Sequence, residues 1–297
     1  MFNTDYFVSP ALKEKFGFFY EDKTAVLFSF ILSLIITLAI LGPFFSMQDP
    51  YDLAQTSILD SKLAPGSNSL SGNTFYLGTD EQGRDILSAI IFGLRLSLLV
   101  GISSVLISML IGASLGVISA FYGGWVDSII MRLADLILGL PSFLIALVLL
   151  AVTGRGFENV VMALVLSQWA TFARVVRSAA LVEKQKDYFL AAKCLVLSES
   201  KVLFSHLLPN CLPPLIVIST MNLAFAITLE ASLSFLGVGL PITEPSLGLL
   251  IANGYEYIML GKYWISFFPG VTLLLTVFSI NIFADRLRII LNPRLDS

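Results

Sequence analysis

Long uncharged apolar blocks alternate with polar connections along the chain. The first block runs from Ala25 to Met47 without a charge. At 1.5 Å per residue a helix of that length crosses a hydrocarbon core of about 30 Å. Further blocks predict spans at Leu96 to Phe121, Leu133 to Val152, Asn159 to Val176, Leu212 to Phe235 and Trp264 to Phe283. The pattern therefore predicts an all-α integral membrane protein with six transmembrane helices. The first block follows a polar stretch and ends at Pro43, Phe44 and Phe45. It has no small-x-small cleavage site, so it reads as a retained anchor rather than a removed signal.

The alternation of Lys and Arg between connections sets the expected orientation. With the N-terminus inside, the inner set is Lys13, Lys15, Lys23, Arg132, Arg174, Arg177, Lys184, Lys186, Lys193, Lys201, Arg286, Arg288 and Arg294. The outer set is Lys62, Arg84, Arg95, Arg155 and Lys262. Thirteen positive residues against five predict both termini in the cytoplasm. The expected organisation is a cytoplasmic segment 1–24, a first helix 25–47, an extracytoplasmic loop 48–86, a transmembrane core 87–290 and a cytoplasmic tail 291–297. The outer connection is turn-rich, with Pro50, Pro65, Gly66, Gly72 and Asn73, and carries six acidic residues from Asp49 to Asp85. Phe7, Leu12, Phe16, Phe18, Phe19 and Tyr20 give the N-terminal segment a loose amphipathic stripe suited to the interface.

Composition agrees with the pattern. Hydrophobic residues make up 56% of the 297 residues and charged residues 13%, against about 25% charged in a soluble domain. Mean hydropathy is +0.86. A net charge of -3 leaves no basic footprint for nucleic acid. The two cysteines, Cys194 and Cys211, imply no disulfide framework.

Little in the chain suggests chemistry of its own. It has one histidine, His206, and no cluster at metal-ligand spacing. The Gly261-Lys262 pair is followed by Tyr263, so no phosphate-cradling loop of the G-x-x-x-x-G-K-[ST] type is present. Any nucleotide chemistry belongs to a partner. Two acids inside apolar blocks, Asp135 and Glu230, are candidates for a gate or pathway, because a charge in a bilayer is costly. Their nearness to the span ends also allows structural pairing. Gly112 and Gly116 place two small residues on one helix face and predict close helix packing. Pro141, Pro213, Pro214 and Pro269 predict kinks or helix starts.

The inner connection from Arg177 to Pro209 is too long for a simple turn. Asp187 to Ser198 can form a short surface helix, with Ala191 and Ala192 permitting close approach by another surface. The stretch DYFLAAKCLVLSESKVLFSHLLPN resembles the EAA loop of ABC importer permeases. Residues 78–86 (GTDEQGRDI), 93–101 (GLRLSLLVG), 121–147 (FYGGWVDSIIMRLADLILGLPSFLIAL), 229–241 (LEASLSFLGVGLP) and 292–297 (NPRLDS) are similar to the second, C-type permease subunit of dipeptide, oligopeptide and nickel importers. Where that family's loop usually has Glu and Gly, this chain has Leu190 and Val196.

The resemblance implies a MetI-like importer permease fold with a cytoplasmic coupling helix, in the inner membrane of a bacterial-type cell. It implies a heterodimer with a second permease subunit, two ATP-binding cassette ATPases that bind ATP and Mg, and an extracytoplasmic peptide-binding protein. This chain would itself hold no cofactor and no catalytic residue. It would form half of a peptide translocation pathway that works by alternating access. Coupling to the ATPases would fall on Asp187, Tyr188, Leu190, Ala191, Ala192, Leu195, Val196 and Ser198. Within the family, dipeptides, longer peptides, glutathione and nickel complexes are all open as cargo. An ion-coupled carrier or channel is the rival reading, for which midplane charges and inverted repeats are the expected marks.

Overall fold

The computed structural model describes residues 22–52, 55–69, 72, 74–194 and 198–291. The expectations for residues 1–21 and for the tail 292–297 lie outside these. Among the described residues, five helices are long and apolar enough to cross a membrane, and a bent helix pair makes a sixth candidate.

Helix α1, Lys23–Phe45, is capped by Asp22, whose carboxylate accepts from Thr24 N at 2.9 Å and Ala25 N at 3.4 Å. Asp22 also pairs with Arg286 near the far end of the chain. The two contacts, Thr24 before Arg286, hold the Asp22 carboxyl at about 2, well below its ordinary range. Only Ala25, Ile35, Ala39 and Gly42 of α1 are buried. Much of the remaining apolar surface, Phe30 and Phe44 included, is exposed, as a helix facing lipid requires.

Helix α2, Ile86–Tyr122, is 37 residues long and starts ten residues before the expected span. Its start is fixed by Asp85, which accepts from Ser88 N at 2.9 Å and Ser88 Oγ at 2.6 Å. The lone charge Arg95 is exposed and does not interrupt it. Helix α5, Phe157–Glu183, also outruns the predicted Asn159 to Val176. The two make the most extensive helix contact in the molecule. Gly112 and Gly116 explain it: a Cβ at Gly112 would stand 2.4 Å from Trp169 O, and one at Gly116 2.5 Å from Ala173 O. The backbones therefore touch, which a larger residue forbids.

The predicted third span, Leu133 to Val152, is sharply bent at Pro141, where the sequence predicts a kink or helix start. Helix α3, Gly124–Leu138, and helix α4, Ser142–Thr153, meet at 88°. The break falls at Gly139 to Pro141. Pro141 has no N–H to donate and precedes the first turn of α4, so it starts a helix where it would break one. Hydropathy runs through this corner unchanged, which is why the pattern alone joins the two helices.

Helix α6, Asp187–Cys194, follows α5 after a tight turn. Three short pieces then lead onward: Glu199–Lys201, a π-helical Val202–Leu207 and Leu208–Asn210. Helix α7, Leu212–Phe235, has Pro213 and Pro214 in its first turn. Helix α8, Leu247–Tyr255, is only nine residues long, too short for a hydropathy window to register as a span. It nevertheless packs against α7 and α9, the latter Trp264–Leu291. Pro269 lies inside α9.

By this order the helices alternate between two ends. One is the basic end, with Lys184, the segment 187–211 and the pair Asp22–Arg286. The other is a cap built from the described residues of 46–85 and from residues 236–263. In the cap, Ser67–Asn68 pairs antiparallel with Thr74–Phe75 in the register Ser67 to Phe75. Asp80 organises the turn after it: its Oδ1 accepts from Gln82 N (2.8 Å) and Arg84 N (2.9 Å), and its Oδ2 from Arg84 Nε (2.7 Å). Both side chains of this pair are buried. Tyr257 ties the two halves of the cap, donating to Glu81 at 2.9 Å while Lys62 lies 4.3 Å over its ring.

Replacing Gly112 with Val is expected to cost about 1–3 kcal/mol or more, because the backbone of α5 has no room to retreat. A thermal unfolding midpoint in detergent lowered relative to wild type checks this; an unchanged midpoint contradicts the close approach.

Candidate functional site

The segment after α5 is joined to the bundle by side chains from its inner face. Lys184 Nζ donates to the last carbonyls of α2, Ala120 O at 2.6 Å and Phe121 O at 3.2 Å. A cation on the C-terminal end of a helix is favourable for both charge and hydrogen bonding. Phe189 is fully buried and meets Phe121 edge to face, with ring centroids 6.4 Å apart. Tyr188 donates to Glu183 at 2.9 Å, and Lys186 donates to the same carboxylate at 2.7 Å. Burial, reinforced by Glu183, pushes the Tyr188 hydroxyl up to about 12, so it stays a donor at all ordinary pH. Tyr122, the last residue of α2, donates to Glu199 at 3.0 Å. Val202, Leu203, Leu207 and Cys211 are buried in the core. Burial pushes the Cys211 thiol up to about 11, which leaves it an inert packing residue.

The predicted coupling residues thus divide by face. Tyr188 and Ala192 point inward with Phe189, whereas Asp187, Ala191 and Ser198 are exposed. Leu190 lies in α6. Leu195 and Val196 fall outside the described residues. Phe189, which sequence reasoning quoted only as part of the motif, is the anchor of the segment. Its signal was the aromatic Phe121 at the end of an apolar block, which becomes informative only once α2 and α6 are known to meet.

Ion pairs brace the same end. Arg177 on α5 grips Asp127 on α3 with both carboxylate oxygens, Nε to Oδ1 at 2.5 Å and Nη2 to Oδ2 at 2.6 Å. Ser119 of α2 donates to the same Asp127. One turn along α5, Arg174 makes a single contact to Asp135 through Nη2. That pair is 54% and 60% exposed.

The other candidate acid is placed differently. Glu230 on α7 is completely buried and accepts from Ser97 Oγ of α2 and from Ser234 Oγ, each at 2.8 Å, while Ser246 reaches the same carboxyl. Ser234 Oγ in turn accepts from Leu240 N and Ser246 Oγ from Leu249 N, both at 3.3 Å. A buried acid saturated by hydroxyls satisfies the rule that polar groups inside must be bonded. Its place is the joint between α2, α7 and the start of α8. Asp135 and Glu230 are therefore not brought together, and no group of three or more metal-binding side chains occurs among the described residues.

Comparison with known proteins gives this arrangement its family. Residues 108–297 match the model of the binding-protein-dependent transport system inner membrane component, and residues 16–65 match the N-terminal transmembrane domain of oligopeptide transport permease C. The chain belongs to this permease family. It is 38% identical over 285 residues to the di/tripeptide transport system permease protein DppC of Pseudomonas aeruginosa, covering 96% of this chain and 92% of that one. It is 34% identical over 277 residues to the oligopeptide transport system permease protein OppC of Bacillus subtilis, covering 93% and 88%. Its fold is similar to that of an inward-facing MetNI methionine ABC transporter chain, with a TM-score of 0.54 at 20% identity, covering 69% of this chain and 97% of that one. The permease is accordingly a MetI-like multi-pass membrane subunit. The N-terminal helix α1 lies before the transport-component match and within the permease C domain match.

Glu230→Ala is expected to lose about 2–4 kcal/mol through a cavity and orphaned hydroxyls, read as a lower unfolding midpoint. Glu230→Gln, which keeps one acceptor and the shape, should retain most of the stability. Loss of transport in a stable Glu230→Gln permease assigns the carboxylate a role in gating; unchanged transport removes that role.

Proposed function

We propose that the permease is one of two membrane subunits of an ATP-driven importer for dipeptides and oligopeptides. It forms half of the translocation pathway and receives the motion of partner ATPases through α6. The observation that carries this reading is the two-faced α6. Its inward Phe189 packs on Phe121 near the end of α2, while Lys184, at the end of α5 just before it, donates to the α2 carbonyls. Its outward residues, Ala191 among them, are free to meet another surface. A rigid helix fastened to two spans is a lever: displacement at Ala191 moves α2 and α5 together. The peptide cargo rests on the likeness to permeases named for di/tripeptide and oligopeptide transport.

In this reading the basic end is cytoplasmic, with both termini, and the cap faces the side from which a peptide-binding protein delivers cargo. The distribution of positive residues supports that orientation. ATP and Mg belong to the two ATPases, and a second, similar permease closes the pathway. The membrane is the cytoplasmic membrane of a bacterial-type cell.

Ala191→Arg puts a long charged side chain where the ATPase would sit. The complex should reach the membrane, while ATP-driven peptide uptake falls at least tenfold and ATPase activity loses its response to peptide-loaded binding protein. Full uptake by this variant removes the docking role of α6.

A further inference from the structure

Helix α3 lies across the bundle rather than along it. Between Asp127 and Asp135 it advances eight residues, about 12 Å. Their partners Arg177 and Arg174 are three residues apart on α5, about 4.5 Å. An axis that advances so little along its neighbour crosses it steeply, consistent with the 88° corner to α4. Arg174 stands 17 residues after the start of α5 at Phe157, so the outer pair lies about 26 Å from the cap end of that helix. For a core of about 30 Å that is just inside the basic edge of the hydrocarbon.

The exposed surface of α3 splits into two stripes. Trp125, Ile129, Leu133 and Leu136 form an apolar one, all exposed. Ser128, Arg132 and Asp135 form a polar one at spacings of four and three, also exposed. The polar stripe continues onto α5 through Arg174 and Ser178, again exposed. Charges at this depth pair with one another or face protein or water rather than acyl chains, so the open part of the polar stripe is unsuited to lipid. The two ion pairs differ in the same sense. Asp127 and Arg177 are mutually bidentate, supported by Ser119, and only 22% and 31% exposed. Asp135 and Arg174 share one hydrogen bond and leave most of a carboxylate and a guanidinium open.

We propose that Asp135 and Arg174 form a site at the inner mouth of the pathway that takes the two charged ends of a peptide, its ammonium on Asp135 and its carboxylate on Arg174. A loosely joined pair of opposite charges is complementary to a zwitterion, and exchanging one partner for another at a wet site costs little. Guanidinium suits a carboxylate end because it can bind both oxygens. The proposal deepens the peptide-importer reading and rests on it.

The test places a reporter beside the pair without altering it. Ser178→Cys, in a chain also carrying Cys194→Ser, is assembled in the complex in inside-out vesicles. It is then treated with a charged, membrane-impermeant thiol reagent. The buried Cys211 supplies the background, measured in the parent lacking Ser178→Cys. Labelling well above that background is expected, slowed at least threefold by millimolar dialanine but not by N-acetylated, C-amidated dialanine. Asp135→Asn and Arg174→Gln should each abolish the protection while leaving the labelling. Absent labelling, equal slowing by both compounds, or protection that survives both substitutions overturns the site. ATP-driven peptide uptake by the unsubstituted complex is measured alongside. Uptake without protection removes the site and keeps the importer, whereas no uptake removes the importer reading itself.

Discussion

The contact on which the rest depends is that of α5 on the glycine face of α2. In a bilayer no hydrophobic force draws helices together, so association relies on close packing and internally satisfied polar groups. Gly112 and Gly116 let the carbonyls of Trp169 and Ala173 come within a distance that any Cβ would occupy. Once α2 and α5 are fixed, their basic ends stand side by side. That brings Lys184 onto the α2 carbonyls and sets Phe121 to receive Phe189. The geometry of the coupling segment is thus a consequence of two glycines some 70 residues away in sequence.

Polar groups in the permease follow one rule with two outcomes. Where helices meet tightly, the buried acids have partners: Glu230 among serines, Asp80 with Arg84, Asp85 with Ser88. These contacts fix joints, between α2 and α7 in the first case and at the entry to α2 in the others. Where the surface is open at the basic end, charges keep free valences, and Asp135 with Arg174 is the clearest case. Burial separates acids that hold the frame from those that can still bind something.

Much of this was legible in the sequence, and the losses have identifiable causes. Span number and type follow from uninterrupted apolar length, and the small-x-x-x-small pair correctly located the most extensive helix contact among the described residues. Helix ends were misplaced where a charge had a partner or an exit, as with Arg177 and Arg95. Pro141 marked the corner between α3 and α4, but not its size, because hydropathy carries no direction. Helix α8 escaped because nine residues cannot span. The depth and exposure of Asp135 and Glu230 depend on which helices surround them, and periodicity within one helix does not hold that information.

Leu190, which departs from the usual loop pattern, lies in α6, whereas Val196 falls outside the described residues. What fastens the lever is supplied by Tyr188, Phe189 and Ala192 on one face and by Tyr122 on Glu199 beyond. None of these contacts requires an acid at position 190. In the proposed reading a rigid joint carries a displacement of Ala191 to α2 and α5. That joint is held by the packing of Phe189 on Phe121, and the exposed surface at Ala191 is the part left open to a partner.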